Sequence, residues 1–363
     1  MKIFYIADFI LPTNRAYAIH VFKMLDGFYN HGYRSYLFIP FFDKKRLNKT
    51  LNFFDLKNKN SISIKRVFQK RIKSNFIYRL FFSYKVAKEI KNYQEKNLVI
   101  TRSLIASVFL SLFKVRHFLE IHQELKGLTK YLLINMNFIN SKYIIKNIFI
   151  SKSLANFYKK NTSKYKVLHD AVDISKFKKK QIKEVKNISY VGSFYKGRGV
   201  DLIFKIANDL KNFNFFLYGK RNEKFKDIPK NVFLKNFVKQ SKISTILQNS
   251  DLLLLPYSTK VYISSNKKSS DNSQFMSPLK LFESLASGTP IICSNIKVLR
   301  EILKDNYNSI LVKNFEDKNE WVSKIKKIQK NTKKLKFLSN NALSTSKNYT
   351  WSKRTRIFLD MYK

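Results

Sequence analysis

Two short stretches of this sequence carry residue types suited to holding a phosphate. The first is Ser277-Pro278-Leu279-Lys280-Leu281-Phe282-Glu283, followed by Ala286, Gly288 and Pro290. Ser277 suits a helix N-cap and Pro278 the first helical turn, where its missing N–H costs nothing. The free backbone N–H groups of Leu279 and Lys280 would then offer an anion the positive end of a helix dipole. Glu283 falls about one and a half turns in, placed to accept from a ribose or sugar hydroxyl, while Leu281, Phe282 and Leu285 pack the other face. A merely well-capped helix would use the same residues. The second stretch is Tyr190-Val191-Gly192-Ser193-Phe194-Tyr195-Lys196-Gly197-Arg198-Gly199. Glycines after a strand let the backbone approach a ligand closely, and Lys196 and Arg198 would bring charge to a diphosphate. The spacing matches neither GxGxxG nor GxxxxGK[ST], so this is not an ordinary dinucleotide or P-loop site. A basic turn would read the same way. Metal chemistry is not expected: histidines 20, 31, 117, 122 and 169 are scattered, Cys293 is the single cysteine, and no Asp-x-Asp occurs.

The elements around these stretches alternate between strand-like apolar runs and helical periodicity, the signature of parallel α/β sheets. In the first half, strands are expected at 2–8, 35–40, 98–101, 117–121, 147–151 and 165–169. A helix at 16–30 would place Ala18, Val21, Phe22, Leu25 and Phe28 on one face, ended by His31-Gly32. Residues 43–75 are basic, asparagine-rich and weakly periodic, and read as a loop with short strands. In the second half, strands are expected at 188–191, 214–218, 232–234, 252–256, 290–294 and 309–312. Helices are expected at 200–210, 242–248, 278–287, 298–303, 316–329, 334–346 and 351–362. The polar stretch 259–274 reads as a functional loop. The pattern describes two Rossmann-like domains facing a central cleft: residues 1–175, a linker at 176–185, residues 186–345, and a closing helix at 346–363 that returns to the first domain.

Composition bounds the classes. A length of 363 residues corresponds to about two domains of ~150 residues. Hydrophobic residues at 44% exclude wholesale disorder, the lone cysteine excludes a disulfide framework, and no apolar run reaches the ~20 residues of a membrane-spanning helix. The opening MKIFYIADFI reads as a strand without a cleavage site, which points to a cytoplasmic protein. The net charge is +47, divided as +22 over residues 1–175 and +25 over the rest. That even spread fits a solvated surface or attraction to an anionic membrane rather than one nucleic-acid footprint.

With these residues in view, the chain resembles the family 4 type of retaining glycosyltransferases, of the two-domain GT-B architecture. The resemblance runs nearly end to end. It rests on Thr101-Arg102-Ser103, Glu120-Ile121-His122, Ile150-Ser151, His169-Asp170-Ala171-Val172-Asp173, the 191–199 turn, 251–257, 277–288 and 308–312, which fall in the family's order. It implies that the Leu279 and Lys280 amides, with Lys196, hold the donor diphosphate, with Gly192, Ser193, Arg198, Ser277 and Pro278 around it. It implies that Glu283 binds the nucleotide ribose, that Tyr218-Gly219 and Asn236-Phe237-Val238 lie near the nucleobase, and that His122 lies near the transferring sugar. Asn14, Arg15 and Arg102 become acceptor-side candidates, and Asp173 is either a helix cap or a ligand. The chain departs from the family at Phe275, where a second glutamate is usual and which Asp271 would have to replace. It departs again at Ser193, where many members carry arginine, and at Ala171, usually glycine.

The expected activity is therefore transfer of a sugar from a UDP- or GDP-sugar to a glycan or lipid-linked acceptor, with retained configuration, no metal and no cofactor, as in bacterial-type surface polysaccharide, capsule or lipopolysaccharide biosynthesis. Rival readings are a nucleotide-sugar 2-epimerase of the same architecture, a degenerate transferase that only binds, and a non-enzymatic basic nucleic-acid-binding protein. No specific nucleic acid is expected, since no reading motif accompanies the charge. Residues 44–73 hold eleven lysines and arginines against Asp55 alone. They precede an aromatic helical segment at 75–92, so peripheral association with the inner face of a cytoplasmic membrane is also expected.

Overall fold

The structure, a computed structural model, describes residues 1–71, 76–93, 96–178, 184–220, 225–262 and 271–362. The chain forms two compact units, Met1–Asp170 together with Trp351–Lys363, and Ala171–Thr350. The division falls at Asp170/Ala171 rather than at 175, because the Val172 N–H already donates to the Tyr349 carbonyl inside the second unit, at 2.9 Å. Of the linker expected at 176–185, residues 179–183 lie outside the described residues.

The first unit carries a parallel sheet of seven strands: β1 (Ile3–Ile6), β2 (Ser35–Ile39), β3 (Ile62–Arg66), β4 (Leu98–Thr101), β5 (His117–Ile121), β6 (Ile144–Phe149) and β7 (Tyr165–Val167). Their order is β3-β2-β1-β4-β5-β6-β7. β1 pairs with β2 from Ile3↔Ser35 and with β4 from Ile3↔Leu98. β1, β4 and β5 are buried along their whole length, which is why they read as continuous apolar runs. The expectation of a loop with short strands over 43–75 is corrected in part: a helix forms at Leu47–Phe53, and β3 pairs over five residues with β2. β3 is an edge strand in which isoleucine alternates with serine and lysine, so it leaves no apolar run to read. Helix α1 (Ala16–Tyr29) buries Ala18, Val21, Phe22, Leu25 and Phe28, and Gly32 turns the chain after it at φ +81°. Helix α2 (Phe76–Lys91) covers the sheet with Tyr78, Phe82, Val86 and Ile90.

The second unit carries a parallel sheet of six strands: β8 (Asn187–Val191), β9 (Asn214–Tyr218), β10 (Val232–Lys235), β11 (Leu252–Leu255), β12 (Ile291–Ser294) and β13 (Ile310–Val312), ordered β10-β9-β8-β11-β12-β13. Helices α3 (Val200–Asp209), α4 (Gln240–Gln248) and α5 (Leu279–Ser287) flank it, and Trp321 and Ile325 close the core against Ile188, Phe215 and Leu254. The helix expected at 298–303 shrinks to a 3₁₀ turn, Leu299–Glu301, since six residues are too few to offset helix nucleation. The closing helix α6 (Trp351–Tyr362) belongs to the first unit. It packs on α1, where a Cβ on Gly27 would come within 2.9 Å of the Trp351 carbonyl.

Both sheets have the doubly wound order that reverses direction once, between β1 and β4 in the first unit and between β8 and β11 in the second. In such sheets ligands sit outside the carboxyl ends of the strands at that reversal. No helix among the described residues is long and apolar enough to cross a membrane.

Candidate functional site

In the second unit the reversal brings together the two stretches read from the sequence as candidate phosphate holders. The turn after β8 folds back on the turn after β9: the Gly192 N–H donates to the Tyr218 carbonyl at 2.9 Å, and a Cβ on Gly219 would lie 2.0 Å from the Gly192 oxygen. Ser193 accepts from the Tyr190 hydroxyl at 2.8 Å through its carbonyl. Gly199 leads into α3 at φ +77°, where a Cβ would meet the Pro256 carbonyl at 1.9 Å. Gly199→Ala should therefore cost the ~1–2 kcal/mol of left-handed strain plus a backbone clash. Gly32→Ala, at φ +81° with nothing within 4 Å, should show the strain alone. Equal losses for both, by chemical denaturation, would contradict the close approach at Gly199.

Helix α5 starts one residue later than its sequence suggests. Pro278 is itself the cap, at φ −77° and ψ 125°. The Pro278 carbonyl accepts from the Leu281 N–H at 2.9 Å, so the proline lies outside the first turn, where its missing donor still costs nothing. The Leu279 and Lys280 amides remain the first two of the helix, without intrahelical acceptors. Glu283 is half-buried and accepts from the Gln240 side chain at the start of α4, an orienting contact 43 residues away that sequence spacing does not reveal.

The basic residues occupy different settings. Lys196 is exposed, and its carbonyl accepts from the Tyr262 N–H at 3.3 Å. Arg198 donates to the Tyr262 carbonyl at 3.3 Å and lies 5.4 Å over the Tyr257 ring. The basic side chain that is buried here is Lys280, its Nζ 4.2 Å from the Tyr190 ring and 4.6 Å from the Tyr257 ring. Phe237 is exposed, Asn236 stands beside it, and Val238 packs on the core. Asp271 is committed to its own loop, accepting from the Val261 and Ser273 N–H groups at 2.8 and 2.9 Å, which leaves it a local tie rather than a stand-in for the glutamate absent at Phe275. Asp173 caps a short turn, accepting from the Ser175 N–H at 3.3 Å. Residues 263–270 lie outside the described residues.

The first unit gathers a separate set at its own reversal. After β4, Arg102 lies 4.1 Å over the Tyr17 ring, and Tyr17 donates to Asp8 at 2.9 Å. Asn14 and Arg15 are exposed at the start of α1, Arg15 at the cap without a side-chain bond. After β5, His122 lies with its ring 4.7 Å from that of His20, its Nε2 3.9 Å from Glu120. His20 in turn pairs with Asp170 at 2.5 Å. Glu120 is fully buried and receives Arg354 of α6 at 2.5 Å and the Tyr5 hydroxyl. Burial alone would push the Glu120 carboxyl up; His20 and then Arg354 outweigh it and hold the group well below the usual range. Burial, and after it the Arg102 guanidinium, pushes the His122 imidazole down to about 3. The histidines are thus not all scattered: His20, Glu120 and His122 hold ligating atoms within 4.8 Å of one another. Arg354 already supplies the positive charge at that carboxylate, which leaves the trio a poor fit for a further cation.

Comparisons with known proteins bear on the fold and the class of chemistry. Residues 172–345 match the family described as glycosyl transferases group 1. The whole chain superposes on a glycosyltransferase from Rickettsia africae with TM-score 0.74 and 14% identity, covering 100% of this chain and 97% of that one. It superposes on the Anabaena protein HepE, solved in complex with UDP-glucose, with TM-score 0.71 and 12% identity over 99% and 98% of the two chains. An uncharacterized glycosyltransferase of Methanocaldococcus jannaschii is 24% identical over 324 residues, 79% of this chain and 78% of the relative. The fold is that of the GT-B glycosyltransferases, and the matches support glycosyl transfer as the chemistry.

Proposed function

We propose that this chain is a retaining glycosyltransferase of the family 4 type that takes its sugar from a UDP- or GDP-sugar. The observation that carries this reading is the convergence, at the reversal of the second sheet, of a glycine turn, the open amides of α5 and an oriented carboxylate, Glu283. HepE, of the same fold, was solved with UDP-glucose, which supports a nucleotide-sugar donor. In this reading the second unit holds the donor, and charge growing on the departing diphosphate meets helix amides and a lysine already in place. The first unit takes the acceptor, with His122 serving the transferring sugar and Arg102 the acceptor. The acceptor is a growing surface glycan or its lipid-linked precursor, and no cofactor enters. Thermal shift against a panel of nucleotide-sugars, followed by product mass, tests the reading, because a bound donor stabilises the fold by mass action. Stabilisation by one nucleotide class and a product heavier by one sugar would support it; no stabilisation by any donor would overturn it.

A membrane-bound acceptor is favoured by one surface of α2. Phe76, Ile77, Phe81 and Tyr84 are 44, 61, 57 and 41% exposed, beside exposed Arg79, Lys85 and Lys88. Rings that meet the acyl boundary and cations that meet headgroups are what an interfacial helix uses. Lys65 does not belong to that set, since it donates to Glu89 at 3.0 Å and to Tyr93. Co-sedimentation should show binding to anionic but not neutral vesicles, weakened by salt and by charge reversal at Lys70, Arg71, Arg79 and Lys88. Equal recovery in the supernatant with both vesicle types at low salt would end the idea.

A further inference from the structure

Lys280 is the second residue of α5, and among the described residues its Nζ is sealed from solvent with no hydrogen-bond partner. The groups that face it come from four segments: Tyr190 of β8, Tyr257 after β11, Arg198 of the glycine turn and Cys293 of β12. None is a carboxylate. The amine also abuts the turn, 3.2 Å from the point that a Cβ on Gly192 would take. The two ring faces favour an ammonium. Against them stand the loss of water and the like charge of Arg198, and these hold the amine well below the ordinary lysine range. Burial raises the Tyr190 and Tyr257 hydroxyls and the Cys293 thiol, so none of them supplies negative charge near neutrality.

An amine held this way lacks only an anion to charge it. We propose that the Lys280 amine binds the donor's diphosphate and takes up a proton as the diphosphate arrives. The inference rests on the donor-site reading above and adds to it a named residue and a proton. The place is apt. Lys280 contributes the amide at the positive end of α5 and, through its side chain, the amine behind Gly192, so one residue offers both contacts. Lys196 is exposed and Arg198 is tied to the Tyr262 carbonyl, so neither occupies that position. The step balances simply: a solvent proton adds to the amine lone pair on binding and returns to solvent when the nucleoside diphosphate leaves. Ring faces that cannot accept a hydrogen bond keep the amine uncommitted until an oxygen anion enters.

The test is calorimetry with UDP and GDP near pH 8, in two buffers of different ionisation enthalpy. The wild type should show net proton uptake, and its affinity should fall as the pH rises, as linkage requires when the complex holds more protons. Lys280→Met, of similar length and free of the desolvation cost, should fold with an equal or higher thermal midpoint. It should lose the uptake and bind at least roughly tenfold more weakly. Unaltered affinity and uptake in Lys280→Met, or a wild-type affinity that does not fall with pH, would overturn the Lys280 assignment while leaving the donor site standing. A wild type that binds neither UDP nor GDP would overturn both.

Discussion

Replacing Arg354 with methionine should lower the stability of the first unit by about 3–5 kcal/mol, the usual loss when one partner of a buried ion pair is removed. Arg354 and Glu120 have side chains 3% and 0% exposed and meet at 2.5 Å. The guanidinium also donates to the Leu168 and His169 carbonyls, the latter at 2.6 Å. Without it, Glu120 keeps its burial and loses the guanidinium, and two carbonyls lose their donor. The double variant Arg354→Met with Glu120→Gln should recover part of the loss, because the stranded charge is gone. Urea denaturation of the wild type, of Arg354→Met and Glu120→Gln singly, and of the double variant gives the coupling directly. A loss below about 1 kcal/mol in the single variant would mean that α6 is held by its apolar face alone, through Trp351, Phe358 and Leu359.

Acid should weaken the same unit well before ordinary carboxylates titrate. Burial pushes the His117 imidazole down to about 4 and the His122 imidazole to about 3. For His117 the contacts explain the neutral form: Nδ1 donates to the Val115 carbonyl at 2.9 Å and Nε2 accepts from the Ser107 hydroxyl at 2.7 Å. Both folded values lie below the unfolded value near 6.5. Below that pH the unfolded chain binds protons that the folded one refuses, so stability falls as pH drops and is fully present above it. Each imidazole removes up to about 1.4 kcal/mol per pH unit, from about pH 6.5 down to about 4 for His117 and further for His122. Thermal midpoints should be flat from about pH 7 to 8 and fall steadily from 6.5 to 4.5. A flat profile through that lower range would contradict neutral burial of these histidines.

The parts of this molecule written in the sequence are those that depend on neighbours along the chain. β4 and β5 announced themselves because a strand buried on both faces leaves an unbroken apolar run. The two candidate donor-site stretches were visible because glycines after a strand and a proline at a helix start act locally. β3 was hidden by its edge position, where every second residue may be polar. The partners of the key side chains were also hidden, because they arrive from afar: Gln240 at Glu283, Tyr190 and Tyr257 around Lys280, Arg354 at Glu120 across 234 residues. Lys280 stood in the motif from the start, but spacing could point only to its amide. That its amine faces inward follows from the pairing of β8 with β11, which no local signal encodes.

The central claim, that the second unit holds a nucleotide-sugar through α5, is tested most directly by titrating wild type and Glu283→Ala with UDP and GDP. The carboxylate is half-buried, oriented by Gln240 and placed on a nine-residue helix whose apolar face is already packed. Its loss should leave the thermal midpoint nearly unchanged while removing a charged hydrogen bond worth roughly 1.5–3 kcal/mol. The account predicts affinity weaker by about one to two decades for the nucleotide that the wild type binds. Equal affinity in the two proteins would contradict it.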